Sequence, residues 1–135
     1  MQKQDFILQR NAELYKAYKM QFLQATDGCG MNEIYRRVSK MPCSRFFVSE
    51  EEACTNVYRM ARRTPLTVKS ELRRRMYEVI AFRAYERYKE YKETVPLRNC
   101  IYEVVNEPAP EFYLTVKSVK TILSQHRVYL RECAA

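Results

Sequence analysis

A run of positive charge in the middle of the chain has the composition of a phosphate-binding segment. We expect several of its cations in the opening turns of a helix, where the helix dipole disfavours positive charge by about 0.3–1 kcal/mol each. Stability alone would favour glutamates there, so their absence favours phosphate contact. The alternative is a solvated face whose arginine stems cover apolar surface. The stretch contains Arg59, Arg62, Arg63, Lys69, Arg73, Arg74 and Arg75, opposed only by Glu71.

A second group of candidate contacts lies on the last predicted helix, over 116–131. Short polar and basic side chains without glutamate are typical of helices that enter a DNA major groove. With the short helix before it, this segment resembles a helix-turn-helix, although its link of eight residues exceeds the usual length of roughly three or four. The alternative is an ordinary amphipathic C-terminal helix. The predicted exposed face carries Lys117, Ser118, Lys120, Thr121, Ser124, Gln125 and Arg127.

Residues suited to catalysis or metal binding are few. The chain has one histidine, His126, and a structural zinc site needs four clustered ligands, so we expect no metal. Gly28-Cys29-Gly30 is too short for a phosphate loop and lacks its lysine, so we expect no cofactor. A nucleophilic pair of His126 with Cys29 or Cys133 stays open, but we favour a non-enzyme. The cysteines, Cys29, Cys43, Cys54, Cys100 and Cys133, contain no C-x-x-C pair.

The overall charge favours an anionic partner. The chain of 135 residues has a net charge of +8, half of it on each side of residue 66. An excess that is not confined to a tail favours nucleic acid, and we expect DNA rather than RNA. No apolar run of about 18 residues predicts a membrane span. With no secretory signal pattern and scattered cysteines, we expect a cytoplasmic protein without a membrane role.

Two octapeptides in the two halves of the chain share one pattern of residue types. Residues 42–49 read Pro-Cys-Ser-Arg-Phe-Phe-Val-Ser, and residues 108–115 read Pro-Ala-Pro-Glu-Phe-Tyr-Leu-Thr. We call the shift from position 42 to position 108 the repeat offset, and residues related by it matched positions. The repeat offset predicts a single domain of two helical repeat units, over 4–63 and 67–131.

We interpret each octapeptide as a connector that ends one helix, fills the core with aromatic rings and caps the next helix. A binding surface made from the rings is the alternative. The structural residues are Pro42, Phe46, Phe47, Pro108, Phe112 and Tyr113.

Hydrophobic periodicity predicts six helices, and therefore a compact all-α bundle of two helix-turn-helix-like units. The first helix, over 4–25, would turn Phe22 and Leu23 inward and end at Thr26-Asp27-Gly28-Cys29-Gly30. Asn32 is a candidate cap for the second helix, and Pro65 or Thr67 for the long fourth helix. Ser49 and Glu52 form a capping-box pattern. The remaining predicted helices span 32–40, 49–63, 67–93, 97–106 and 116–131.

The two octapeptides, with Leu72-Arg73-Arg74-Arg75-Met76-Tyr77 between them, resemble a group of small basic proteins of Bacteroidetes bacteria and their phages and mobile elements. The resemblance spans residues 10–131. It implies an intracellular or phage-encoded protein and supplies no site residues.

Two functions remain open at this point. The first is non-enzymatic binding of duplex DNA, with arginines on phosphates and the last helix in a groove. The second is a protein-interaction or assembly role, including a homo-oligomer or a phage structural or host-modulating part, because Tyr, Arg and Met are enriched at interfaces. The candidate nucleic-acid contacts are Arg62, Arg63, Lys69, Arg73, Arg74, Arg75, Lys117, Lys120, Thr121, Ser124 and Arg127.

Overall fold

A computed structural model describes residues 3–25 and 28–134 of the chain. The expected helix stop at Thr26 and Asp27 lies outside the described residues. The described part is all-helical, with six helices and no strand, which confirms the predicted all-α class. The helices are α1 (Lys3–Gln24), α2 (Met31–Ser39), α3 (Glu50–Ala61), α4 (Glu71–Glu90), α5 (Leu97–Val105) and α6 (Val116–Ala134).

The two caps predicted inside the connectors are confirmed. The Oγ of Ser49 accepts the backbone N–H of Glu52 at 3.1 Å, and the Oγ1 of Thr115 accepts that of Ser118 at 3.1 Å. Each bond satisfies one of the N–H groups that a helix start leaves without a partner.

Two other predicted helix starts are wrong. Gly30, not Asn32, is the N-cap of α2. The long helix begins at Glu71, with Ser70 as its cap, and not near residue 67. Thr67 is held elsewhere: its N–H donates to the Oδ1 of buried Asn56 at 2.9 Å, and the Nδ2 of Asn56 donates to its hydroxyl at 2.9 Å. These bonds hold Thr67 against α3, so the long helix begins later in the sequence than predicted.

The helices form two groups that interleave along the sequence. α1, α2 and α6 contact one another, and α3, α4 and α5 contact one another. The third helix of each sequence half therefore lies on the first two helices of the other half. Among the described helices α5 and α6 are not in contact, so the expected helix-turn-helix pairing is wrong. The long link between them lets α6 cross to α1 and α2.

The two connectors meet in the centre of the fold. The backbone N–H of Phe46 donates to the carbonyl of Val105 at 3.1 Å, and that of Phe112 donates to the carbonyl of Ser39 at 3.0 Å. The rings of Phe47 and Phe112 stack with centroids 6.1 Å apart. The rings therefore fill the core, and the alternative of an aromatic binding surface is excluded. Phe46, Phe47, Phe112 and Tyr113 are all buried, while Pro42 and Pro108 are exposed.

The inward orientation expected for the end of α1 is wrong. Leu14 and Ala17 are buried, but Phe22 is 53 % exposed and Leu23 is 81 % exposed. Within the described part of the chain no element covers this last turn, so the apolar stripe of α1 continues beyond the core that it serves.

Candidate nucleic-acid interface

The basic stretch of the sequence is divided among three elements. Arg59 lies on α3, and Arg62 and Arg63 follow its last residue. Lys69 belongs to the segment before α4. The remaining three, Arg73, Arg74 and Arg75, lie in the first two turns of α4. The stretch is thus contiguous in sequence without forming one face of one helix.

One ion pair within α4 and one tertiary ion pair partly neutralise this stretch. The guanidinium of Arg74 lies 3.4 Å from the Glu78 carboxylate, and that of Arg75 lies 3.4 Å from the Glu111 carboxylate. These pairs are exposed and contribute little to stability, but they reduce the local charge. The cations of the stretch without an ion pair to any described carboxylate are Arg59, Arg62, Arg63, Lys69 and Arg73.

The last helix has the amphipathic character that its sequence predicts. Val119, Ile122 and Leu123 are buried, and α6 contacts α1 and α2. Arg127 is half-buried, with its guanidinium carbon 5.1 Å from the centroid of the Tyr18 ring. This contact ties Arg127 to α1 and reduces its availability for a ligand. The remaining candidates on the helix, Lys117, Lys120, Thr121 and Ser124, are exposed.

Arg10 of α1 joins these separate groups and was missed by the sequence analysis. It lines a cleft of about 290 Å³ with Lys117, Ser118 and Thr121 of α6. Burial lowers the pKa of the Arg10 guanidinium, and the nearby positive charge of Arg73 lowers it further. Arg10 donates to the Oδ1 of Asn11 and forms no ion pair with a described carboxylate. We call the group Arg10, Lys117 and Thr121 the basic cleft; Arg73 does not line it and acts on Arg10 through its charge.

The basic cleft is built by two helices that are distant in sequence. α1 supplies Arg10, and the start of α6 supplies Lys117 and Thr121. Guanidinium and ammonium groups in this arrangement can bind phosphate oxygens, and the Thr121 hydroxyl can donate to them. One sequence signal could have revealed Arg10: it lies four residues from both Phe6 and Leu14, on the buried stripe of α1, where a cation is unusual.

His126 lies away from this cleft and in apolar surroundings. Its ring is 5.3 Å from the Tyr15 ring and 5.8 Å from the Tyr129 ring, measured between centroids. Its buried Nδ1 has no hydrogen-bond partner among the described residues. Cys133, one of the two candidate partners, is exposed. No group of three or more metal-binding side chains occurs in the described ranges, 3–25 and 28–134.

None of the helices in the described part of the chain has the length and apolar character needed to cross a bilayer. Neither a protein-family model, nor a curated protein, nor a solved structure matches the sequence.

Proposed function

We propose that this protein is a non-enzymatic nucleic-acid-binding protein whose preferred ligand is duplex DNA. The observation that carries the proposal is the cleft in which Arg10 of α1 lies with Lys117 and Thr121 of α6, where neither cation forms an ion pair with a described carboxylate. Bringing two cations together opposes folding, because their mutual repulsion is relieved in the unfolded chain. A polyanionic ligand removes that repulsion, since each phosphate offers charge-assisted hydrogen bonds to a guanidinium.

The proposed roles of the two candidate groups differ. The basic cleft would hold phosphates, which gives affinity and fixes orientation without reading sequence. The exposed face of α6, with Lys120, Thr121 and Ser124, would lie along a groove and contact base edges. α6 has 19 residues and is about 28 Å long. Because α1 and α2 hold α6 in position, its orientation does not depend on contact with α5.

We also propose that the fold is a duplicated three-helix unit whose third helices are exchanged between the copies. The repeat offset relates α2 to α5 at both ends, the last residue of α1 to that of α4, and the first residue of α3 to that of α6. The hydrogen bonds of Phe46 and Phe112 follow the same offset, because their acceptors, Ser39 and Val105, occupy matched positions. Reciprocal contacts of this kind are the property of a two-fold interface.

The two copies would contribute differently to DNA binding. α3 begins with Glu50, Glu51 and Glu52, which phosphates would repel, whereas α6 has no acidic residue in its first turn. The first copy would therefore serve as scaffold. By the resemblance given above, the protein would act in the cytoplasm of a bacterium, as part of a phage or mobile element.

Binding to a mixed-sequence duplex tests the proposal. Phosphate-driven binding should weaken by orders of magnitude between about 50 and 200 mM salt, because each neutralised phosphate releases a condensed counterion. An RNA duplex of the same sequence, measured in parallel, distinguishes DNA from RNA. Absence of binding to both duplexes at the lower salt concentration would rule the proposal out.

A second function is favoured by the exposed apolar residues of two neighbouring helices. Phe22 and Leu23 end α1, and Val128, Tyr129 and Leu130 lie toward the end of α6, which contacts α1. Exposed apolar groups of this size are typical of surfaces that bind another protein. Light scattering of the purified protein across a concentration series tests self-association. A monomer at all concentrations that binds DNA would favour the first function.

A further inference from the structure

A groove on the opposite group of helices gathers three arginines. It lies between α3 and α5 and has a volume of about 520 Å³. Its walls include Arg59 and Arg62 from the end of α3 and Arg98 from the first turn of α5, with Thr55 and Tyr58 between them. We call it the arginine groove. It shares Arg62 with the contacts proposed for duplex DNA and no residue with the basic cleft.

Two of the three guanidinium groups in this groove, those of Arg59 and Arg98, are oriented by hydrogen bonds to neutral partners. The Nη1 of Arg59 donates to the carbonyl of Pro65 at 3.0 Å. The Nε and Nη2 of Arg98 donate to the Tyr102 hydroxyl at 3.2 and 3.0 Å. None of the three arginines forms an ion pair with a described carboxylate, and Glu51 is the one carboxylate in the groove wall. Arg59 and Arg98 are thus held in place without losing their charge.

Tyr58 lies in the groove wall together with Arg62 and Arg98. Burial raises the pKa of Tyr58, while the positive charges of Arg98 and Arg62 act in the opposite direction. The same ring, with the buried thiol of Cys54, gives the groove an apolar part beside its cations. An occupant that fits would combine an anionic end with a less polar body.

The matched positions of the other half carry no cation. The counterparts of Arg59, Arg62 and Arg98 at the repeat offset are Gln125, Val128 and Asn32. Gln125 and Val128 lie on α6, and Asn32 lies on α2, so the same helix pair forms without arginine. The fold therefore does not require three arginines in this groove, and their presence favours a role in binding a ligand.

We infer that the arginine groove binds a phosphate monoester carried by a nucleotide-sized group. Three guanidiniums and one carboxylate leave a formal charge of +2, which matches the dianion of a monoester better than the single charge of a diester. The volume is larger than a phosphate alone needs and lies within the range of about 300–1,000 Å³ of small-molecule sites. A free nucleotide and the 5′-phosphorylated end of a strand present this same group.

Calorimetry on the full chain tests the inference with adenosine 5′-monophosphate, adenosine, and a short single strand with and without a 5′-phosphate. We expect the phosphorylated probes to bind at least about tenfold more tightly than their unphosphorylated counterparts, since charge-assisted hydrogen bonds contribute at this level. Arg98→Gln should remove that preference, and Arg98→Lys should restore part of it because a lysine keeps the charge but not the planar fork. Lys89→Gln, an exposed change on α4, is the matched control and should leave binding unchanged.

The outcomes separate the two sources and the two proposals. Tight binding of the free nucleotide identifies a small-molecule site, and a preference seen only with the phosphorylated strand identifies a strand-end site. No preference for phosphate in either pair, or an unchanged preference in Arg98→Gln, would overturn the inference. Arg98 is not among the proposed duplex contacts, so duplex binding should persist in Arg98→Gln. Absence of duplex binding in the wild type would bear only on the first proposal.

Discussion

Cys43 and Ala109, which occupy matched positions of the two connectors, exchange two backbone hydrogen bonds at 3.1 and 3.0 Å. Each donates its N–H to the carbonyl of the other, so two matched positions meet face to face. The rings beside them meet crosswise: Phe46 stacks on Tyr113, and Phe47 stacks on Phe112. A residue paired with its own counterpart, flanked by reciprocal pairs, is the pattern that a two-fold axis produces. The connectors therefore join the two groups of helices through one shared centre.

The first prediction concerns the rings at this centre. Phe46→Ala should lower the free energy of unfolding by about 3–5 kcal/mol, because Phe46 is fully buried and the cavity cannot collapse around a stacked partner. Phe82→Ala is the control, since Phe82 is 65 % exposed and its loss should change stability by less than about 0.5 kcal/mol. Urea unfolding of the two variants measures both. Equal losses would contradict a central role for the connector.

The second prediction concerns the unpartnered nitrogen of His126. His126→Met should leave the free energy of unfolding unchanged or raise it by about 1 kcal/mol, because a buried polar atom without a hydrogen bond is costly. Methionine stands at the matched position of the other half, as Met60, which is partly buried against the core. Thermal unfolding provides the measurement. A clear loss of stability would show that Nδ1 has a partner in solution, such as an ordered water molecule.

The third prediction concerns the thiol of Cys43. Burial raises the pKa of this thiol to about 12 from its usual 9.0, and the Glu13 carboxylate adds to the rise. Between these two values the unfolded chain loses a proton that the folded chain keeps, so stability should fall as the pH rises above 9.0. Below pH 9.0 both states are protonated and the thiol contributes no pH dependence.

Cys43→Ala isolates this contribution, because alanine is the residue at the matched position, Ala109. The variant should lose less stability than the wild type between neutral pH and pH values above 9.0, as followed by urea unfolding at each pH. Tyr77, whose pKa is raised by burial without a contribution from Cys43, affects both proteins equally and cancels in the comparison. Parallel pH profiles for the two proteins would refute the assignment.

The fourth prediction concerns the basic cleft and Arg73. Arg10→Gln and Arg73→Gln should each weaken duplex binding at every sequence and reduce the salt slope by about 1, as expected for the loss of one phosphate contact. Because the two guanidiniums repel each other, either substitution should also stabilise the unbound fold. Lys89→Gln preserves the cleft and provides the control for overall charge. A slope that falls equally in all three variants would indicate non-specific attraction and no defined cleft.

Local features of this fold could be predicted from the sequence because their causes are local. The caps Ser49 and Thr115 each act on an N–H three residues away, and the burial of the connector rings follows from their apolar character. The start of α4 could not be predicted, since Thr67 is held by Asn56 from the preceding helix. The hydrophobic periodicity of a sequence does not reveal a tertiary hydrogen bond that competes with helix formation.

The sequence also could not predict which helices pack against one another. Periodicity shows which face of α6 is apolar but not that α1 and α2 cover it while α5 does not. For the same reason the candidate site was predicted only in part. Lys117 and Thr121 were found on one helix, whereas Arg10 joins them only through the packing of α6 on α1. Arg98 stands alone in its helix and gains its neighbours from α3.

The packing of α3 on α4 and α5, and of α6 on α1 and α2, gives the last prediction. If residues 1–66 and 67–135 are produced as separate chains, α3 is separated from α4 and α5, and α6 from α1 and α2. Each half keeps the contact between its first two helices but exposes the apolar face of its third helix and the faces that the other half's third helix covers, so neither should unfold cooperatively as a monomer. Mixing them in equal amounts should restore helical circular dichroism and a cooperative thermal transition, because the contacts between α3, α4 and α5 can re-form between chains. A first half that folds alone as a stable monomer would show that α3 can pack on α1 and α2 after all, and that the interleaved arrangement is not required for stability.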